Sequence, residues 1–145
     1  GYNYGAKMYD RVNSVIKTAL IYGFIIASFI GVILIVSSDF IPYIFTKDTK
    51  LIKHAPNAIF WIFSATPVIV FHLIAPSYYQ AIGKAIPALL LTLTKQGVFL
   101  IPFVLILPIY FGIEGVWYSF PISDIISAGI CFYFLRKSTS KLTLN

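Results

Sequence analysis

From Thr18 to Ser38 the chain reads TALIYGFIIASFIGVILIVSS, without one charged residue. Coiled as a helix that rises about 1.5 Å per residue, this run covers roughly 30 Å, the thickness of a bilayer's hydrocarbon core. Three more stretches are long and apolar enough to cross, so the predicted spans are about 18–38, 55–82, 86–111 and 113–135. The last three carry one ionisable residue apiece: His72, Lys95 and Asp124. Composition points the same way, because 59% of the 145 residues are hydrophobic and 11% are charged. The expected class is all-α, a polytopic membrane protein with four transmembrane helices running up and down.

Charge placement supplies a direction. Short loops rich in Lys and Arg stay on the cytoplasmic side. Lys7, Arg11 and Lys17 precede the first span, Lys84 joins the second to the third, and Arg136, Lys137 and Lys141 follow the fourth. The opposite side holds Lys47, Lys50 and Lys53 together with Asp39, Asp48 and Glu114. Both termini are therefore expected in the cytoplasm, with a tail over 137–145. The net charge of +6 lies between apolar segments and not along one face, so it reads as membrane orientation and no nucleic-acid partner is expected. A single Cys131 excludes an internal disulfide and any multi-cysteine metal site.

The connections are short, which makes consecutive helices antiparallel neighbours. In QAIGKAIP, Gly83 can end the second span and Pro87 suits the first turn of the third. Gly23, Ala27 and Gly31 share one face of the first span at four-residue spacing, either as a close helix contact or as ordinary membrane-helix glycine. Pro56, Pro67 and Pro76 lie in the second span, Pro102 and Pro108 in the third, and Pro121 in the fourth. Each removes a backbone hydrogen bond, and nearby hydroxyls such as Ser64, Thr66 and Ser77 can satisfy the freed groups. Repeated interior prolines suit bent, moving helices better than a passive anchor.

Measured along their helices, His72, Lys95 and Asp124 all fall roughly 13 to 17 Å from the same surface, near the bilayer midplane. A charge there costs on the order of 2.5 to 3.5 kcal/mol on insertion scales, so Lys95 and Asp124 are expected to pair or to share a wet cavity. Lys95 has a second option, to snorkel along its stem towards the cytoplasm. His72 reads as a neutral, hydrogen-bonded helix contact, and Asp124 as a group able to exchange a proton. Trp61, Tyr110, Trp117 and Tyr118 sit at the outer ends as interfacial anchors. Phe71, Tyr78, Tyr79 and Gln80 are candidate lining for a cavity that takes flat apolar compounds, with core packing the alternative for the aromatics.

Read in order, GYNYGAKMYDR, YIFTKDTKLIKHA, SYYQAIGKAIPALLLTLTKQ and LIPFVLILPIYFGIEGVWYSFPISDI together resemble the multidrug and toxic compound extrusion (MATE) family, over Gly1 to about Arg136. The resemblance implies part of a six-helix lobe in a twelve-helix transporter that exports cationic, often aromatic compounds in exchange for protons or sodium ions. Gly1, Tyr4, Gly5 and Arg11 then belong to the cytoplasmic link after the eighth helix. The four spans become helices nine to twelve, residues 1–136 a partial C-terminal lobe, and the first eight helices the missing partner. The absent initiator Met fits an interior start, and no signal peptide is recognisable. The lipid bilayer and small cationic amphiphiles are the other partners implied, in a plasma membrane of bacterial inner-membrane type.

One departure matters. Some branches of the family place an acidic cation-site residue on the tenth helix, and the second span here has no carboxylate, so no sodium site carries over. No cofactor or bound metal is expected beyond the coupling ion. Two rivals stay open: a flippase for lipid-linked oligosaccharides, and a membrane anchor or assembly subunit. An enzyme is not expected, since no HExxH pair, Ser/His/Asp cluster or phosphate-binding glycine loop is present. Four helices that evolved to complete a larger lobe would expose packing faces alone, so poor independent stability is expected.

Overall fold

The computed structural model describes residues 1–140 and Leu142; Lys141 and 143–145, part of the expected tail, lie outside the described residues. All regular structure among them is helical. A single turn, α1 (Tyr2–Gly5), leads into α2 (Tyr9–Val36). A short α3 (Ile41–Phe45) follows, then α4 (Thr49–Phe63) and α5 (Ile69–Ala81), joined by a 3-10 turn at Thr66–Val68. Next come α6 (Ala85–Leu93) and α7 (Ile101–Phe111), joined by a π-helical segment at Thr94–Leu100. The last is α8 (Ile113–Ser140). Four spans emerge: Tyr9–Val36, Thr49–Ala81, Ala85–Phe111 and Ile113–Ser140.

These helices outrun the sequence-based spans at their polar ends. The first begins nine residues earlier, at Tyr9, because Asp10 and Arg11 are acceptable in an exposed first turn. The last continues through Ser140, so 137–140 is helix and not tail. The second is not one continuous rod. Pro67 has no N–H to give the Phe63 carbonyl, and the chain turns at Ser64 and Ala65 before the 3-10 turn. The Thr66 hydroxyl takes over that carbonyl, donating to Phe63 O at 2.6 Å, and Ser64 Oγ donates to Trp61 O at 2.8 Å. Ser77 donates to Leu73 O and does not serve the carbonyl freed by Pro76. Thr66→Val keeps the shape and deletes the donor. It should cost about 1 to 3 kcal/mol, the penalty for an unsatisfied buried carbonyl, readable as a lowered unfolding midpoint in detergent.

The small face of α2 meets this break. A Cβ on Gly23 would stand 2.5 Å from Val70 Cγ2, and one on Gly31 would stand 3.1 Å from Thr66 Cβ. The four-residue spacing is therefore a close helix contact. α2 packs mainly on the second span, through α4, the 3-10 turn and α5, and turns a broad apolar face outward that includes Tyr22, Ile25 and Phe29. α8 is the inner helix, packed against α4, α5, α7 and the π segment.

The reason lies in the sequence of α8. Gly115, Ser119, Ser123, Ser127 and Cys131 recur every four residues, all buried, and let neighbouring backbones come near. The serines satisfy themselves locally: Ser119 Oγ donates to Gly115 O at 2.7 Å, Ser123 Oγ to Phe120 O at 2.8 Å, and Ser127 Oγ to the Ser123 carbonyl. The connections behave as the turn residues suggest. Gly83 takes φ 77° between α5 and α6, and Gly112 takes φ 59° with ψ −143° between α7 and α8, conformations costly to any residue with a Cβ. In the link before α2 the left-handed residue is Lys7, at φ 57°, and not Gly5, which sits inside α1.

Candidate functional site

The third span supplies the cation of the site. Pro102 cannot bond to the Val98 carbonyl, and upstream of it the helix widens into π geometry, with the Ile101 N–H reaching back to Gln96 O, five residues away. Lys95 lies in this widened turn, which packs on α8. Its ammonium Nζ stands 2.7 Å from Asp124 Oδ1. The Asp124 side chain is 3% exposed and that of Lys95 24%. Asp124 Oδ1 is sealed from solvent, and Lys95 is its partner among the described residues. The long lysine stem therefore turns inward to the carboxylate, and snorkelling is not the arrangement adopted.

His72 of α5 approaches the same point from the other side. Its Nε2 is 3.2 Å from the Asp124 carbonyl oxygen, and its Nδ1 is 3.7 Å from Cys131 Sγ. A carbonyl only accepts, so Nε2 carries the proton in this bond, and Nδ1 is then the acceptor for the Cys131 thiol. Three helical segments from three spans thus meet at one residue, Asp124. In the sequence Cys131 was legible only as a lone cysteine; its place against His72 comes from the register of α5 on α8.

Of the candidate cavity-lining set, Phe71, Tyr78 and Tyr79 pack in one hydrophobic cluster, the core alternative open to the aromatics. Tyr78 and Tyr79, 6% and 7% exposed, belong to the core, edge to face at 5.3 Å. Adjacent helix positions point about 100° apart, so both hydroxyls reach α8 at different places. Tyr78 Oη is 3.0 Å from Ser138 Oγ, and Tyr79 donates to Phe134 O at 3.0 Å. Phe71 packs edge to face on Phe132 at 5.5 Å, and Gln80 is exposed. Tyr78 also borders a cleft of about 250 Å³ shared with Gly1, Asn3 and Val12, and Tyr79 borders another of about 230 Å³ shared with Lys84 and Lys137.

The link residues close over the same end of the bundle. Gly1 lies against the end of α5, where a Cβ would be 2.9 Å from the Ala81 carbonyl oxygen. Tyr4 packs edge to face on Tyr9 at 5.9 Å, Gly5 ends α1, and Arg11 is exposed. At the far end Trp61 and Tyr118 meet at 4.7 Å, Phe111 stands 5.9 Å from Tyr118, and the Tyr118 hydroxyl donates to Glu114 Oε2 at 2.7 Å. The expected anchors there are thus partly packed on one another.

Comparison with known proteins places this architecture. A search of curated proteins found no match. A solved structure of the MATE multidrug transporter DinF-BH, in complex with a ligand, is similar over 94% of this chain, at 36% sequence identity and a TM-score of 0.86. A second solved chain, titled "protein A", matches with the same identity, coverage and TM-score. The chain spans 31% of the length of each. The MatE family model matches residues 1–106, from the link through the π segment and into α7. With four membrane-spanning helices in this arrangement and that match over most of its length, the chain belongs to the MATE family of membrane transporters.

Proposed function

We propose that this chain is the C-terminal part, helices nine to twelve, of a twelve-helix exporter of small cationic amphiphiles. In this reading it lies in a plasma membrane of bacterial inner-membrane type with both ends cytoplasmic, and a proton or sodium ion moves the opposite way. The observation that carries the reading is the similarity, along nearly the whole chain, to a multidrug transporter. The orientation rests on the basic residues: Lys7, Arg11, Lys17, Lys84, Arg136 and Lys137 gather at one end of the bundle.

The Lys95–Asp124 pair gives the exchange a physical element. A carboxylate held by an ammonium in a membrane interior has two stable arrangements, paired with lysine or neutralised by another cation. A proton taken up on Asp124, or a sodium ion beside it, removes the attraction that holds Lys95. The π segment carrying Lys95 and the proline-broken second span carrying His72 are where the helices can then bend. Asp124 would serve as the coupling group, Lys95 as its internal counter-charge, and His72 as the group that holds the Asp124 backbone.

Ethidium, a flat aromatic cation, is a suitable probe. Cells lacking their own exporters and expressing the complete gene should accumulate several-fold less of it than cells without the gene. Equal accumulation would overturn the export reading. Asp124→Asn should abolish most of the difference, and undiminished export by that variant would remove Asp124 from the coupling step.

A further inference from the structure

At the basic end of the bundle a cleft of about 490 Å³ opens between the start of α2 and the end of α8. Lys17 stands on one wall and Arg136 on the other, with Asn13 beside them and Leu20 and Ile21 below. We infer that this cleft binds the headgroup of an anionic phospholipid, with the lipid's acyl chains lying along α2.

Three observations carry this. Neither Lys17 nor Arg136 forms an ion pair among the described residues, where Lys95–Asp124 is the salt bridge, so two cations face one cleft with no acid between them. Both charges sit at the headgroup level: Lys17 directly precedes the uncharged run that begins at Thr18, and Arg136 directly follows the apolar end of the fourth span at Leu135. A guanidinium grips a phosphate diester through paired N–H groups and an ammonium adds a point charge, while basic clefts between membrane helices suit anionic headgroups.

The walls below then change character as a lipid does. Leu20 and Ile21 line the cleft one turn deeper, and the outward face of α2 continues with exposed Tyr22, Phe24 and Ile25. Net negative charge and long apolar chains together describe an anionic phospholipid such as phosphatidylglycerol better than a zwitterionic lipid.

The inference rests on the membrane-spanning reading of the four helices and not on drug export, which ethidium accumulation reports separately. The test uses the complete transporter, purified in detergent and examined by native mass spectrometry with phosphatidylglycerol or phosphatidylcholine of the same acyl chains. Phosphatidylglycerol should be retained about tenfold to thirtyfold more strongly, the effect of two basic contacts. Lys17→Gln with Arg136→Gln should abolish that preference, whereas Lys17→Arg with Arg136→Lys should keep most of it and Lys47→Gln with Lys50→Gln all of it. Equal retention of the two lipids by the parent protein would overturn the inference, as would a preference surviving the double glutamine variant. So would full displacement by millimolar inorganic phosphate, which would mark a site for free phosphate. An equal loss in the Lys47/Lys50 variant would reduce the effect to overall charge and overturn it too.

Discussion

Lys95→Met in the complete transporter should lower stability by about 3 to 5 kcal/mol, the cost of leaving a buried charge without its partner. The burial of the two groups makes the effect lopsided. Asp124, 3% exposed, has no route to water once the ammonium is gone. Lys95, 24% exposed on a flexible stem, can swing towards the membrane surface when the acid is removed, so Asp124→Leu should cost less. The double variant, Lys95→Met with Asp124→Leu, should recover most of the loss, because an apolar pair of similar volume avoids the desolvation of two charges. Reversible unfolding in mixed detergent measures all four corners of this cycle. A double variant as unstable as the sum of the singles would show that the two residues act independently, contrary to the 2.7 Å contact. On the proposed coupling role, ethidium export should stay lost in the stable double variant, which would separate that role from the pair's part in folding.

The meeting of these residues was legible in the chain for a simple reason. Depth in a membrane is a one-dimensional quantity, and a helix converts residue count into depth at a fixed rise. Counting from the span ends placed His72, Lys95 and Asp124 in one layer before any helix was packed. Which way each side chain faces is a second coordinate, and counting supplies it only while a helix stays regular. The third span does not, since the π segment at Thr94–Leu100 changes the phase of everything around Lys95. Snorkelling and pairing therefore could not be separated from sequence, and the choice came from packing against α8. Phe71, Tyr78, Tyr79 and Gln80 were grouped by nearness along the chain without that second coordinate; on the regular helix α5 the aromatics turn to the core and Gln80 points outward.

Other signals were present and carried more than their residue types suggest. Pro67 and Thr66 read as a kink with a hydroxyl nearby; the structure gives that hydroxyl to the one carbonyl the proline orphans. The small residues of α2 left a close contact and ordinary membrane-helix glycine both open, and the structure gives the contact and its partner, the broken stretch of the second span. In α8 the run Gly115, Ser119, Ser123, Ser127, Cys131 has the same four-residue spacing, and it marks the helix that ends up inside. A membrane helix that gives one whole face to small residues offers little large apolar surface to lipid there, so burial by other helices is the physical reading of such a face.

At the end of that seam lies the closest approach met at any glycine, and Gly115→Val should be the most damaging of the glycine substitutions. A Cβ at 115 would stand 2.5 Å from the Leu107 carbonyl oxygen and 2.6 Å from the Pro108 nitrogen, atoms of backbone and not of a side chain that can step aside. The α7 backbone has little freedom to retreat. Pro108 fixes its own φ, and Gly112, whose φ 59° and ψ −143° form the bend into α8, sets the angle between the helices. Overpacking in a core costs about 1 to 3 kcal/mol where side chains can adjust, and a backbone contact of this kind belongs above that range. The third and fourth spans would have to part at the turn that joins them, and Lys95 and Asp124, held on those two spans, would be drawn from their contact. Gly115→Val should therefore give little folded transporter, and any that is recovered should lack ethidium export. Gly129→Val serves as the comparison, since a Cβ there meets nothing within 4 Å among the described residues. Near-normal yield and stability for Gly115→Val would refute the close approach of α7 and α8 that this geometry requires.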